Sequence, residues 1–296
     1  RCLTTVPRYS EAGVPGLVAL GDLLAASRRI EAGEERDEDI EMLFAPGASL
    51  GGARPKCSVH DVHGQLSIAK FPKSEDDYSR ERWEAITAEL ARRSGIDTAV
   101  TSLENVRGKP VMISRRFDRR GPPGAVQSRI PYASAMTMTQ NSDGSPGSYL
   151  EILDAIVTHG SQPRKDRLEL YRRIIFSVLV SNTDDHMRNH GFLRDGAAGW
   201  RLSPAFDINP TSQDDKMRVL TTHIDYDEGT CSMDLVLSVA DEFDLSQKEA
   251  KSMAAEVART VRTWRDVAWL FQAPEREITR IASAFEHEDL KTALRF

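Results

Sequence analysis

The hydrophobic pattern changes its period along the chain. Apolar residues recur at helical spacing over 17–30, and a charged stretch at 31–41 predicts a second short helix before Pro46. A glycine-rich turn then leads into a predicted hairpin, with strands at 57–59 and 66–71 around a polar turn at 61–64. Residues 81–93 set Trp83, Ile86, Leu90 and Ala91 along one face of a helix, with Gly95 as its stop. A further hairpin is expected from 98–104 and 111–117, turned at Arg107-Gly108-Lys109-Pro110 and closed by the linker Gly121-Pro122-Pro123-Gly124.

Beyond the linker the pattern becomes helical, at 149–159, 164–181, 233–240, 246–270 and 275–285. Two short strands, 191–193 and 200–202, flank the turn Asp195-Gly196, while 139–148 reads as a loop. The expected organisation is an exposed helical preface over 1–43, a small mixed lobe over 44–120 and a helical lobe over 121–296. This is an α+β class with two lobes and a cleft between them.

With 296 residues, 40% of them hydrophobic and 28% charged, the chain can bury one large core or two modest ones. Its net charge of -6 argues against direct wrapping of nucleic acid, which calls for a basic footprint. No apolar run approaches the length of a membrane span, and no apolar segment follows the basic start, so a cytoplasmic protein without a membrane is expected. The first residue is Arg rather than Met, which suggests a fragment or a missing beginning. Cys2, Cys57 and Cys231 are odd in number and far apart, which points to reduced thiols.

The richest segment runs from Ser181 to His190 and holds two carboxylates, two imidazoles and two carboxamides after a long apolar helix. Phosphoryl transfer calls for a carboxylate that orients the attacking hydroxyl and an Asn several residues later that holds magnesium; Asp184 and Asn189 have that spacing. Asp207 follows on a strand end between Phe206 and Ile208, where kinases keep a second magnesium ligand. Upstream, Lys70 lies in a strand among apolar neighbours, and Glu84 in the next helix is a candidate partner. Backbone amides of Gly51, Gly52 and Ala53 could cover phosphates. Each motif alone has a plainer reading as a turn, cap or solvated face. Two histidine pairs, His60 with His63 and His186 with His190, lack further ligands nearby, so structural zinc is not expected.

Taken in order, Ser49 to Lys56, Ala69-Lys70-Phe71-Pro72, Arg116-Phe117-Asp118-Arg119, Asn182 to Asn189 and Leu202 to Asp207 resemble the HipA family of toxin kinases. The resemblance implies a protein-kinase-like fold that binds ATP and magnesium (Mg2+) and phosphorylates serine or threonine. It implies Lys70 on the phosphates, Asp184 as catalytic aspartate with His186 close by, and Asn189 and Asp207 on the metal. Phe117 would belong to the adenine-binding hinge, Asp118 would lie near the ribose, and Ser49 would be an inactivating autophosphorylation site. Arg115 stands where relatives often have Glu, and Phe206 where Tyr is frequent. Implied partners are a HipB-like helix-turn-helix antitoxin, with DNA reached only through it, and a protein substrate such as an aminoacyl-tRNA synthetase. The family's additional N-terminal subdomain is not evident, and a separate small protein could replace it. A kinase for a small molecule or lipid, and a catalytically silent kinase-like binding module, remain alternatives.

Overall fold

The computed structural model describes residues 14, 16–43, 54–122, 127–142 and 144–296. Ser49, Gly51, Gly52 and Ala53 lie outside them, as do Pro123 and Gly124 of the linker. Two compact units emerge: the described residues up to Ala85 together with Val100–Arg129, and Ile86–Ala99 together with Ile130–Phe296.

The first unit begins with α1 (Leu20–Ala32) and α2 (Asp37–Leu43), followed by β1 (Lys56–His60), β2 (Leu66–Lys70) and the start of α3 (Arg80–Arg93). After them come β3 (Thr101–Val106) and β4 (Lys109–Arg115). The four strands form an antiparallel sheet in the order β1-β2-β4-β3. A short pair, β5 (Arg119–Arg120) and β6 (Ser128–Arg129), closes the unit. The expected exposure of the first helices does not hold. Leu20, Leu23 and Leu24 of α1 and Leu43 of α2 are buried in one core with Val59, Ala69, Phe71, Val111 and Ile113 of the sheet. One face of a small sheet must be covered, and here α1 and α2 cover it. Arg29 ties the two helices together by donating from Nε to Asp39 at 2.8 Å.

The second unit opens with β7 (Tyr132–Ser134), α4 (Ala135–Met138) and β8 (Gly147–Ser148). Next come α5 (Tyr149–His159), α6 (Pro163–Leu179), β9 (Gly191–Asp195), β10 (Gly199–Leu202) and β11 (Thr222–His223). Five helices end it: α7 (Met233–Ser238), α8 (Gln247–Val261), α9 (Trp264–Leu270), α10 (Glu275–Ile281) and α11 (Glu288–Ala293). Strands β10, β9 and β7 make an antiparallel sheet, and β11 pairs with β8 in parallel. Helix α6 starts with Pro163 at its first turn, where a missing N–H costs nothing, and buries Leu170, Tyr171, Ile174, Ile175 and Val178. The single helix expected at 246–270 is broken at Arg262 and Thr263. The break turns Trp264 flat onto Phe285, with ring centroids 4.7 Å apart and planes 8° apart. Among the described residues no helix is long and apolar enough to cross a membrane.

His287 caps α11, its Nδ1 accepting from Leu290 N–H, and its Nε2 lies 3.1 Å from the Leu179 carbonyl at the end of α6. Burial, reinforced by the nearby Arg218 charge, lowers its pKa to about 4. The ring is therefore neutral in the folded chain, while in the unfolded chain it gains a proton below about pH 6.5. The unfolded state binds more protons in that window, so stability falls as pH drops from about 6.5 towards 4. Urea unfolding at pH 7 and pH 5 should show a loss of about 2 kcal/mol attributable to this group. His287→Gln should remove that part of the pH dependence, and an equal slope in both proteins would contradict the assignment.

Candidate active site

The segment after α6 is positioned by how that helix stops. Ser181 adopts a left-handed backbone (φ 53°), an uncommon and costly conformation for a residue with a Cβ. Its hydroxyl offsets the cost by donating to the Ala284 carbonyl at 2.9 Å and accepting from Arg218 Nε at 2.9 Å. Arg218 also donates to the Val178 carbonyl at 2.9 Å, which suits a cation at a helix C-terminus. The chain therefore leaves α6 in a fixed direction.

Within the segment, Asp184 and Arg188 are exposed among mostly buried neighbours. Asn182, Thr183 and Asp185 are buried, Asp184 is exposed, His186 is half-buried, and Asn189 and His190 are buried. The Asn189 side-chain N–H donates to the Asp184 carbonyl at 3.2 Å, closing a loop with Asn189 N–H on His186 O at 2.8 Å. Thr183 O accepts from Thr221, and Asp185 O accepts from Thr222 N–H at 2.9 Å, so a second strand of chain holds the segment from behind. Where the segment enters β9, Gly191 leaves room for the Tyr132 ring, which a Cβ there would displace.

Asp207 also has a left-handed backbone, φ 59°. Asn182 Oδ1 accepts from Asn209 N–H at 3.0 Å, so a buried carboxamide ties the turn bearing Asp207 to the segment bearing Asp184. Asp207 Oδ1 accepts from Asn209 Nδ2 at 3.3 Å. Arg173 of α6, itself buried, donates to Ser203 O at 2.8 Å and steadies the approach to that turn. Asp184, Asn189 and Asp207 thus belong to segments cross-linked by side-chain amides. His190 lines one small cavity with Asn182 and Asn189, and His186 stands half-buried on the same segment.

In the first unit, Lys70 Nζ lies 2.6 Å from Glu84 Oε1 and both side chains are largely buried. Lys56 sits directly opposite Lys70 in the β1–β2 register, a like-charge placement that the Glu84 carboxylate relieves. Arg54 reaches Asp76 and Glu81 and donates to Glu81 Oε1 at 2.7 Å. Burial raises the Glu81 pKa, an effect that the Arg54 charge only partly offsets. Phe117 is half-buried, and the Asp118 carboxylate is already held by Arg116 at 2.6 Å and Arg119 at 2.6 Å. Arg115 pairs with Asp61 at 3.0 Å.

Sequence reasoning gave no role to Asn182, Arg173, Arg54 or Glu81. Glu81 and Glu84 stand one helical turn apart on α3, and that spacing on an otherwise apolar face was the available signal. Asn182→Ala should leave the Asn209 N–H without its buried acceptor. A loss of about 1–3 kcal/mol in urea unfolding is expected; unchanged stability would mean that the bond does not hold the Asp207 turn.

A family model described as "HipA-like C-terminal domain" matches residues 48–264. Two curated relatives carry provisional kinase names. Y4mE of Sinorhizobium fredii is 25% identical over 185 residues, 55% of this chain and 42% of that protein. A Haemophilus influenzae protein is 24% identical over 179 residues, 55% of this chain and 52% of its own. The chain thus spans about half the length of the curated relatives it matches. Among solved structures, a chain of the Shewanella oneidensis MR-1 toxin antitoxin complex of HipA, HipB and operator DNA is similar at TM-score 0.70 and 20% identity, covering 92% of this chain and 70% of that one. The likeness is one of fold, mixed α+β and kinase-like, as expected.

Proposed function

The chain belongs to the HipA-like C-terminal domain family, and from that premise we propose that it is an ATP- and magnesium-dependent kinase acting on serine or threonine hydroxyls. The observation that carries this reading is the exposed Asp184, whose neighbours on both sides are buried and bonded. A carboxylate held out on a rigid segment is what orienting a hydroxyl and taking its proton requires.

The donor set suits a hard cation. The Asn189 amide nitrogen is engaged by Asp184 O, which turns the carboxamide oxygen away from that bond, and Asp207 contributes a carboxylate. Asn189 and Asp207 would hold Mg2+, which supplies charge neutralisation at the phosphates. Lys70, oriented by Glu84, would meet those phosphates, with Gly51, Gly52 and Ala53 covering them. Phe117 is assigned to the adenine. Asp118 is assigned to the ribose, where the ligand would have to share its carboxylate with Arg116 and Arg119. His186 stands two residues from Asp184 on the same loop.

By the same reading, the kinase is the toxin of a toxin-antitoxin pair, and its partner is a HipB-like helix-turn-helix protein. The likeness to a chain from a HipA, HipB and operator DNA complex supports that partner. The net charge of -6 leaves DNA contact to the antitoxin. The target is another protein, for which the family suggests an aminoacyl-tRNA synthetase, and Ser49 is the self-inactivation site.

Incubation with γ-labelled ATP and Mg2+, with mass-spectrometric mapping, tests these assignments. Label should appear on Ser49, be absent from that position in Ser49→Ala, and fall by a factor of about 10²–10⁴ in Asp184→Ala. Since Asp184 is exposed, that variant should unfold within about 0.5 kcal/mol of the parent. Full transfer by Asp184→Ala contradicts the catalytic assignment, and phosphate found only elsewhere contradicts Ser49.

A further inference from the structure

Beneath Asp184 lies a polar cluster for which the proposed chemistry has no direct use. Asp185 is only 3% exposed, yet it carries a carboxylate. The Tyr149 hydroxyl donates to Asp185 Oδ2, Ser177 Oγ lies 3.4 Å from the same oxygen, and His190 Nε2 is 3.0 Å from Oδ1. That last contact is close without being aligned as a hydrogen bond, since the same nitrogen has no bonded partner. The His190 ring meets the Tyr149 ring edge-on, with centroids 5.2 Å apart. Burial opposes the charge on Asp185, but His190 and Tyr149 outweigh it and keep the carboxyl below its usual range. Burial next to that carboxylate pushes the Tyr149 phenol well above its own, so the hydroxyl stays a donor.

Tyr149 is the first residue of α5, and its place is fixed from outside the cluster. Ser148 caps the helix with Glu151 in a reciprocal capping box. Residues Gly147 and Ser148 pair with Thr222 and His223, and Thr222 N–H donates to the Asp185 carbonyl. Asp185 is therefore held twice, by its carboxylate from α5 and by its carbonyl from β11. Thr183, on the other side of Asp184, is held by Thr221. With both neighbours pinned, the backbone fixes the direction in which the Asp184 side chain leaves the segment.

We propose that Asp185, clamped by Tyr149, is a positioning residue that aims Asp184, so that a buried bond at the start of α5 sets the rate of phosphoryl transfer without touching the substrate. The proposal rests on the kinase reading above. A group displaced by about 1 Å can lose about a hundredfold in rate, so a small release of the segment is enough. The competing view is that the cluster merely satisfies buried polar atoms. That view predicts fewer folded molecules, each working at the parent's rate.

The test uses the full chain and MgATP, with kcat expressed per nucleotide-binding site counted by calorimetry. Tyr149→Phe should lower kcat per site about tenfold or more, with KM for ATP within about twofold of the parent. Adding Asp185→Asn to that variant should restore part of the rate, because a neutral amide no longer strands a charge beside the lost hydroxyl. Amide hydrogen exchange provides a readout independent of activity: Tyr149→Phe should speed exchange at Thr222 and Asn189 about tenfold or more, while the interior of α6 stays as in the parent. A kcat per site equal to the parent's, or unchanged exchange at both amides, overturns the proposal. If the parent itself transfers no phosphate, the kinase reading fails and the exchange result alone decides whether the clamp holds the segment.

Discussion

The second unit depends on keeping a charged carboxylate, Asp185, inside a packed core. An isolated charge there would cost several kcal/mol. The Tyr149 hydroxyl, Ser177 and the His190 ring surround it, and each comes from a different element. Satisfying one carboxylate therefore fixes α5, α6 and the entry to β9 against one another. Asp184 stays exposed between Thr183 and Asp185, whose carbonyls are held by Thr221 and Thr222.

The first unit places its charges by a similar logic on a smaller scale. Lys70 and Lys56 face each other across β1 and β2, while Glu84 approaches Lys70 to 2.6 Å. One turn earlier on α3, Glu81 meets Arg54 at 2.7 Å, just beyond the glycine-rich stretch. Two carboxylates on one helix face thus hold two cations, and the ammonium of Lys70 is oriented rather than left to solvent.

Much of this was legible in the sequence where local pattern decides. The two hairpins of the first unit, α3, α5, α6 and the β9–β10 hairpin follow from periodicity and turn residues. Periodicity could not tell that α1 would be buried, because an amphipathic stripe does not say which surface it meets. Nor could it find the break before Trp264, which serves a stacking partner twenty-one residues away. The candidate residues Lys70 and Glu84 were paired from sequence, and the structure brings them together. The roles of Asn182 and Tyr149 were not legible, since their work is done through Asn209 and Asp185, contacts that exist only once the chain has folded.

On the reading we propose, Asp207, cross-linked to the Asp184 segment through Asn209 and Asn182, takes part in binding a magnesium nucleotide. Calorimetric titration of ATP into the full chain, with Mg2+ and then with chelator, tests it most directly. Affinity should strengthen with Mg2+, and that gain should be lost in Asp207→Asn; equal affinity with and without the metal in both proteins would rule out Asp207 as a ligand.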